Sequence, residues 1–164
     1  MSIKLPITLP ADDTNGPRPG LRIPHLLRVR YGETDQMGVV HHAQYINFME
    51  CGRTHFMREI GVPYASLEAR GYWLVIVDIS AKLRAPARYD DELTVTTGVC
   101  ALRHTSLTFN YEIMRTEDKQ LCATGETRLA CLAAATRRPT AMPEDLAELM
   151  RKCLPLSAPP TETP

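Results

Sequence analysis

The chain has no excess of charge of either sign. Over 164 residues, 19 lysines and arginines balance 19 aspartates and glutamates, a formal net charge of zero. Proteins that grip nucleic acid or anionic lipid through charge carry a basic surplus, so neither partner fits this composition. No apolar run approaches the roughly 18 residues a membrane span requires. Met1 to Pro10 lacks both the apolar core and the small-residue cleavage site of a secretory signal. The cysteines (Cys51, Cys100, Cys122, Cys131 and Cys153) are odd in number and widely spaced, with no C-x-x-C pair. That spacing suits neither a disulfide framework nor a structural zinc site, and points to reduced thiols in a cytoplasmic protein. There is no P-loop and no G-x-G-x-x-G, so phosphates are not held by those devices. There is no G-x-S-x-G, and the chain is short for an α/β-hydrolase. No cofactor is called for. His41-His42 has no third ligand at a recognisable spacing, and neighbouring side chains should point apart, so no metal is expected.

What the chain does have is an ordinary globular composition, 44% hydrophobic and 23% charged. That is enough for a single core. Residues 1–24 hold Pro6, Pro10, Pro17, Pro19 and Pro24 around Asp12-Asp13-Thr14-Asn15-Gly16, the composition of a mobile arm. The tail 154–164 has the same character, which leaves one domain over residues 25–153.

Within that domain His25 to Tyr31 reads as a first strand and Gly32 to His42 as a loop. From Ala43 to Ile60 the residues Tyr45, Phe48, Met49, Gly52, Phe56 and Ile60 recur at helical spacing. Gly61-Val62-Pro63 then stops a helix of about five turns. Tyr64 to Arg70 adds a short helical piece. After Gly71 the period changes to two. Val75, Val77, Ile79, Ala81 and Leu83 alternate with more polar neighbours; so do Leu93 to Val99, Leu107 to Ile113 and Leu121 to Leu132. Such alternation is the habit of an antiparallel meander with one buried face. Pro143 to Cys153 closes the chain as an amphipathic helix. One long helix can cover the apolar face of a curved five-stranded sheet, giving a two-layer α+β domain.

Chemistry concentrates in Glu33-Thr34-Asp35-Gln36-Met37-Gly38-Val39-Val40-His41-His42-Ala43-Gln44-Tyr45, which joins the first strand to the long helix. A helix start presents free N–H groups and the positive end of a dipole, and such donors can hold a developing oxyanion. Asp35, on a loop containing Gly38, can fold back towards that helix start. A carboxylate plus an oxyanion donor suffices to hydrolyse an activated ester. The plainer role for Asp35 is turn former; for Tyr45 it is core residue. Cys51, with His55 one turn on, is a weaker nucleophile candidate and reads as a buried thiol.

The run Arg30 to Tyr45, with its T-D-x-x-G-V-V core, a histidine immediately before a small residue and the tyrosine that opens the helix, resembles the signature of the 4-hydroxybenzoyl-CoA thioesterase family. More narrowly, it is similar to the short-chain acyl-CoA thioesterases associated with the bacterial Tol-Pal system. Glu50, Arg53-Thr54 and Arg84-Ala85-Pro86-Ala87-Arg88-Tyr89-Asp90-Asp91 match as well. The resemblance implies a hot-dog fold, a long helix wrapped by an antiparallel sheet, paired into homodimers or homotetramers with active sites between protomers. It implies hydrolysis of an acyl-CoA (or acyl-carrier-protein) thioester. Asp35 takes the place of the catalytic aspartate, and the His42 N–H that of the oxyanion donor. Tyr45 and the His42 side chain line the acyl pocket, with Gly38, Val40 and His41 beside them. His41 stands where an aromatic residue is common and Gln44 where asparagine is frequent, which bears on acyl preference. Arg84, Arg88, Arg103, Arg137 and Arg138 form a pool of cations for the CoA phosphates, with Arg88 and Arg103 put forward from it. Two other functions share this fold: an acyl-CoA binding module without catalysis, and a dehydratase or hydratase acting on acyl thioesters.

Overall fold

The computed structural model describes residues 20–155. The arm expected over 1–24 lies outside them except for its last residues, and the tail 154–164 all but entirely. The chain runs β1 (Arg22–Arg28), a 3-10 turn (Tyr31–Glu33), α1 (Gln44–Glu59), α2 (Tyr64–Ala69), β2 (Tyr72–Leu83), β3 (Glu92–Leu102), β4 (Ser106–Arg115), β5 (Leu121–Ala133), β6 (Arg138–Pro139) and α3 (Glu144–Cys153). It is the α+β hot-dog arrangement, a long helix held in a curled antiparallel sheet. β1 begins three residues earlier than its expected start, because Pro24 sits at a sheet edge, where a missing N–H costs no ladder bond. The two-residue β6, which pairs with the end of β5, was not expected.

The strands do not follow sequence order. They run β1-β3-β4-β5-β2, so only β3, β4 and β5 form the expected meander. β2 crosses to the far edge and returns through the connection 84–91. Its apolar alternation is also broken. The register shifts between Ile76 and Asp78, so Ile76 faces the buried Leu129 while Ile79 faces the buried Thr127. Cross-strand partners share a face; hence Ile76, Ile79, Ala81 and Leu83 lie on the helix side, and Asp78 pairs outward with Arg128. The bulge at Val77 flips the strand's two halves relative to the strict pattern read from the sequence.

α1 seats Tyr45, Phe48, Met49, Phe56 and Met57 in the core, mainly against β1, β3 and β4. Phe56 meets Phe109 edge to face at 5.6 Å. The helix comes close because residue 52 has no side chain: a Cβ there would stand 2.6 Å from both Thr97 Oγ1 and Val95 Cγ1. Arg53, also buried, reaches across to the hydroxyls of Tyr111 and Thr127 at 3.4 Å each, and those hydroxyls bond one another at 2.6 Å. Gly52→Val would overpack this contact and should lower stability by about 1–3 kcal/mol. The check is an earlier urea midpoint at unchanged m-value; an unmoved midpoint would mean that the close approach is not what seats the helix.

Candidate active site

The loop that leaves β1 folds into a tight hairpin. Thr34 and Val40 form an isolated antiparallel bridge. The Asp35 N–H donates to Val39 O and the Gly38 N–H donates to Asp35 O, both at 2.9 Å. The turn needs one residue in the left-handed region, and Gly38 supplies it at φ 71°. Inside the turn one carboxylate oxygen of Asp35 accepts the Met37 N–H at 2.8 Å. Asp35 is therefore a turn former, as its residue type suggests, yet its second oxygen has no partner among the described residues.

Two further ties fix the hairpin. The His41 N–H donates to Glu33 O and the Val40 N–H to Ala87 O. Glu33 is buried and accepts from both the backbone and the guanidinium of Arg30. The chain then enters α1 through tight turns. The Gln44 N–H is bound by His41 O, the Tyr45 N–H by His42 O, and the Ala43 N–H by His41 Nδ1. The His42 N–H has no acceptor among the described residues, the orphan donor expected at a helix start.

Asp35, Val40, His42 and Tyr45 line a single cavity of about 390 Å³. Met37, Val39, Leu83, Arg84, Ala85 and Pro86 complete its wall. Leu83, Ala85 and Pro86 carry no site assignment in the sequence, and Arg84 stands there only in the pool of cations for the CoA phosphates: only the crossing of β2 to the far edge brings Leu83 and the following connection to this place. Burial raises the Tyr45 phenol above its ordinary value, so it stays protonated at neutral pH. Gly38, His41 and Arg88 do not line the cavity. Arg103 follows the end of β3 that lies away from it, where the β3–β4 turn meets α3.

The imidazoles of His41 and His42 do not point apart as expected; they stack, with centroids 4.1 Å apart. Among the described residues no group of three metal-ligating side chains includes them. Cys51 is exposed rather than the buried thiol expected, and partial desolvation of the sulfur, then Glu50, push the thiol up. His55 turns away from it, stacking on His25 and placing Nδ1 3.9 Å from Glu59. A Cys51 thiolate therefore lacks its base.

Residues 29–150 match the model of the thioesterase-like superfamily. The chain belongs to that family. It is 33% identical over 120 residues to the acyl-CoA thioester hydrolase YbgC of Escherichia coli O6:H1, spanning 73% of this chain and 89% of that protein. A hypothetical protein, TT1821, from Thermus thermophilus superposes with TM-score 0.75 at 35% identity, covering 81% of this chain and 98% of that one. The DHNA-CoA thioesterase of Staphylococcus aureus superposes with TM-score 0.76 at 28% identity, over 80% and 89% of the two chains. The chain is thus a thioesterase, and its cavity lies where the sequence motif meets the end of β2. Substituting Gly38 should separate turn geometry from chemistry. Gly38→Ala forces a side chain into the left-handed region and should cost about 1–2 kcal/mol in a thermal or urea melt, whereas Gly38→Asn, which tolerates that region, should cost less. Equal losses in the two variants would contradict the strained-turn assignment.

Proposed function

We propose that this thioesterase hydrolyses acyl-CoA thioesters carrying a small aliphatic or aromatic acyl group. Asp35 attacks the thioester carbonyl or removes a proton from the attacking water. The His42 N–H receives the oxyanion, and the CoA thiolate leaves and is protonated, so that one water and one thioester become a free acid and CoA. The observation that carries this reading is the pairing, on one cavity wall, of an Asp35 oxygen and a His42 N–H that have no partner among the described residues. The activities named for YbgC and for the DHNA-CoA thioesterase support the substrate class. The five cysteines are free, which suits a reducing cytoplasm, and burial pushes the Cys100 and Cys153 thiols up to about 11. No helix among the described residues is long and apolar enough to cross a membrane.

Asp35→Asn should keep the fold, because the amide oxygen can still accept the Met37 N–H. It should lower kcat by about a hundredfold or more, the scale of losing a principal transition-state contact. Thiol release measured over short aliphatic, long aliphatic and aromatic acyl-CoAs tests this, and wild-type turnover in the variant would remove the proposal. Saturable acyl-CoA binding without thiol release would favour a binding module instead, and water addition to an enoyl thioester a hydratase.

The working unit is a homodimer or an assembly of dimers. Among the described residues β2 ends the strand order with one hydrogen-bonding edge unpaired, and its helix-side residues Ile76, Ile79 and Leu83 are 38%, 40% and 52% exposed. A long apolar edge of this kind invites pairing. Antiparallel addition of β2 from a second copy about a two-fold axis would continue the sheet and cover that face. It would also wall the open side of the Asp35 cavity beside Leu83. Ile79→Lys should give a monomer in sedimentation velocity with much reduced turnover. A wild-type monomer with full activity would contradict this arrangement.

A further inference from the structure

An aromatic pair stands at the same end of the sheet as the Asp35 cavity. Tyr31, in the 3-10 turn, and Tyr89, in the connection 84–91, meet edge to face with centroids 5.6 Å apart and planes at 83°. They remain 79% and 57% exposed. Single exposed aromatics need no explanation, but a pair held in fixed mutual orientation presents a ready stacking surface. Its base is rigid. The Val29 N–H donates to Asp91 O and the Asp90 N–H to Val29 O, stitching the two segments together. Asp90 holds a positive φ of 68° within that turn, and Arg28 clasps its carbonyl at 2.8 Å.

The charges around the pair sort into used and unused. Arg28 is paired with Asp90 and Glu92, Arg30 with Glu33, and Arg115 with Asp91 and Asp118. Among the described residues the guanidiniums of Arg84 and Arg88 have no acceptor, and both residues are exposed. Arg84 lines the Asp35 cavity, while Arg88 adjoins Tyr89. The five-residue step from Arg84 to Tyr89 spans at most about 17 Å, the order of length of an extended pantetheine arm. The Val40–Ala87 bond fixes the middle of that path against the catalytic hairpin.

We propose that Tyr31 and Tyr89 form the subsite for the adenine of CoA, with Arg84 and Arg88 meeting its phosphates. The assignment rests on the acyl-CoA reading above and extends it. An aromatic face takes a base by stacking, and free guanidiniums meet phosphate oxygens in paired hydrogen bonds. It follows that the enzyme selects CoA thioesters over carrier-protein thioesters, since the latter present phosphopantetheine without adenine.

The test has two arms. Calorimetry would measure binding of 3′-phosphoadenosine 5′-diphosphate, the nucleotide part of CoA, to the wild type, to Tyr31→Ala/Tyr89→Ala and to Tyr31→Phe/Tyr89→Phe. Kinetics would compare one acyl group carried on CoA and on pantetheine. The alanine pair should weaken nucleotide binding about tenfold and lower the CoA-over-pantetheine ratio of kcat/KM by the same factor. The phenylalanine pair, which keeps the stacking faces, should restore both. No nucleotide binding by the wild type, equal binding by the alanine pair, or an unchanged ratio would overturn the assignment. If the wild type cleaves neither thioester, the hydrolase reading fails, and the calorimetric arm still decides the subsite.

Discussion

The seating of α1 in the trough of the curled sheet is the constraint from which the rest follows. Tyr45, Phe48, Met49, Phe56 and Met57 form one buried stripe along the helix, and at about 25 cal/mol per Å² their burial is the main local driving force. Gly52 lets that stripe close onto Val95 and Thr97. Once the helix is placed, its first turn has only one position, at the sheet end where β2 finishes. The orphan N–H of His42 is carried there, and the hairpin before it must turn tightly to bring Asp35 to the same cavity.

That hairpin depends on ties that have nothing to do with chemistry. The Thr34–Val40 bridge, the Val40–Ala87 bond and the buried Glu33 each remove freedom from a loop that would otherwise wander. Holding a reacting group in place before substrate arrives is how an active site lowers its barrier without reorganisation. One oxygen of Asp35 belongs to this scaffold through Met37, and the other has no partner among the described residues. In the proposed mechanism the same carboxylate serves the turn and the chemistry.

Much of this was legible in the sequence, and the parts that were not share a cause. α1 could be read from its apolar spacing and its Gly61-Val62-Pro63 stop, because a helix is a local structure. The gathering of Asp35, His42 and Tyr45 at one cavity could be read from the motif that surrounds them. The strand order could not, since nothing local tells β2 to leave its neighbour β3 and pair with β5. The bulge at Val77 could not either: an inserted residue appears only when two strands are laid against each other. For the same reason Leu83, Ala85 and Pro86 were invisible as cavity residues, and Arg103 was drawn into the phosphate pool although it follows the other end of its strand. The stacked rings of His41 and His42 reflect the turn at the helix entrance rather than an extended chain.

In the proposed mechanism the thioester carbonyl sits between Asp35 and the His42 N–H. A crystal structure with a non-hydrolysable acyl-CoA analogue, its thioester sulfur replaced by methylene, tests that most directly. The carbonyl oxygen is expected at hydrogen-bond distance, about 3 Å, from the His42 nitrogen, with the second Asp35 oxygen facing the carbonyl carbon or a water beside it. A carbonyl bound elsewhere, with the His42 N–H turned to another acceptor, would contradict it.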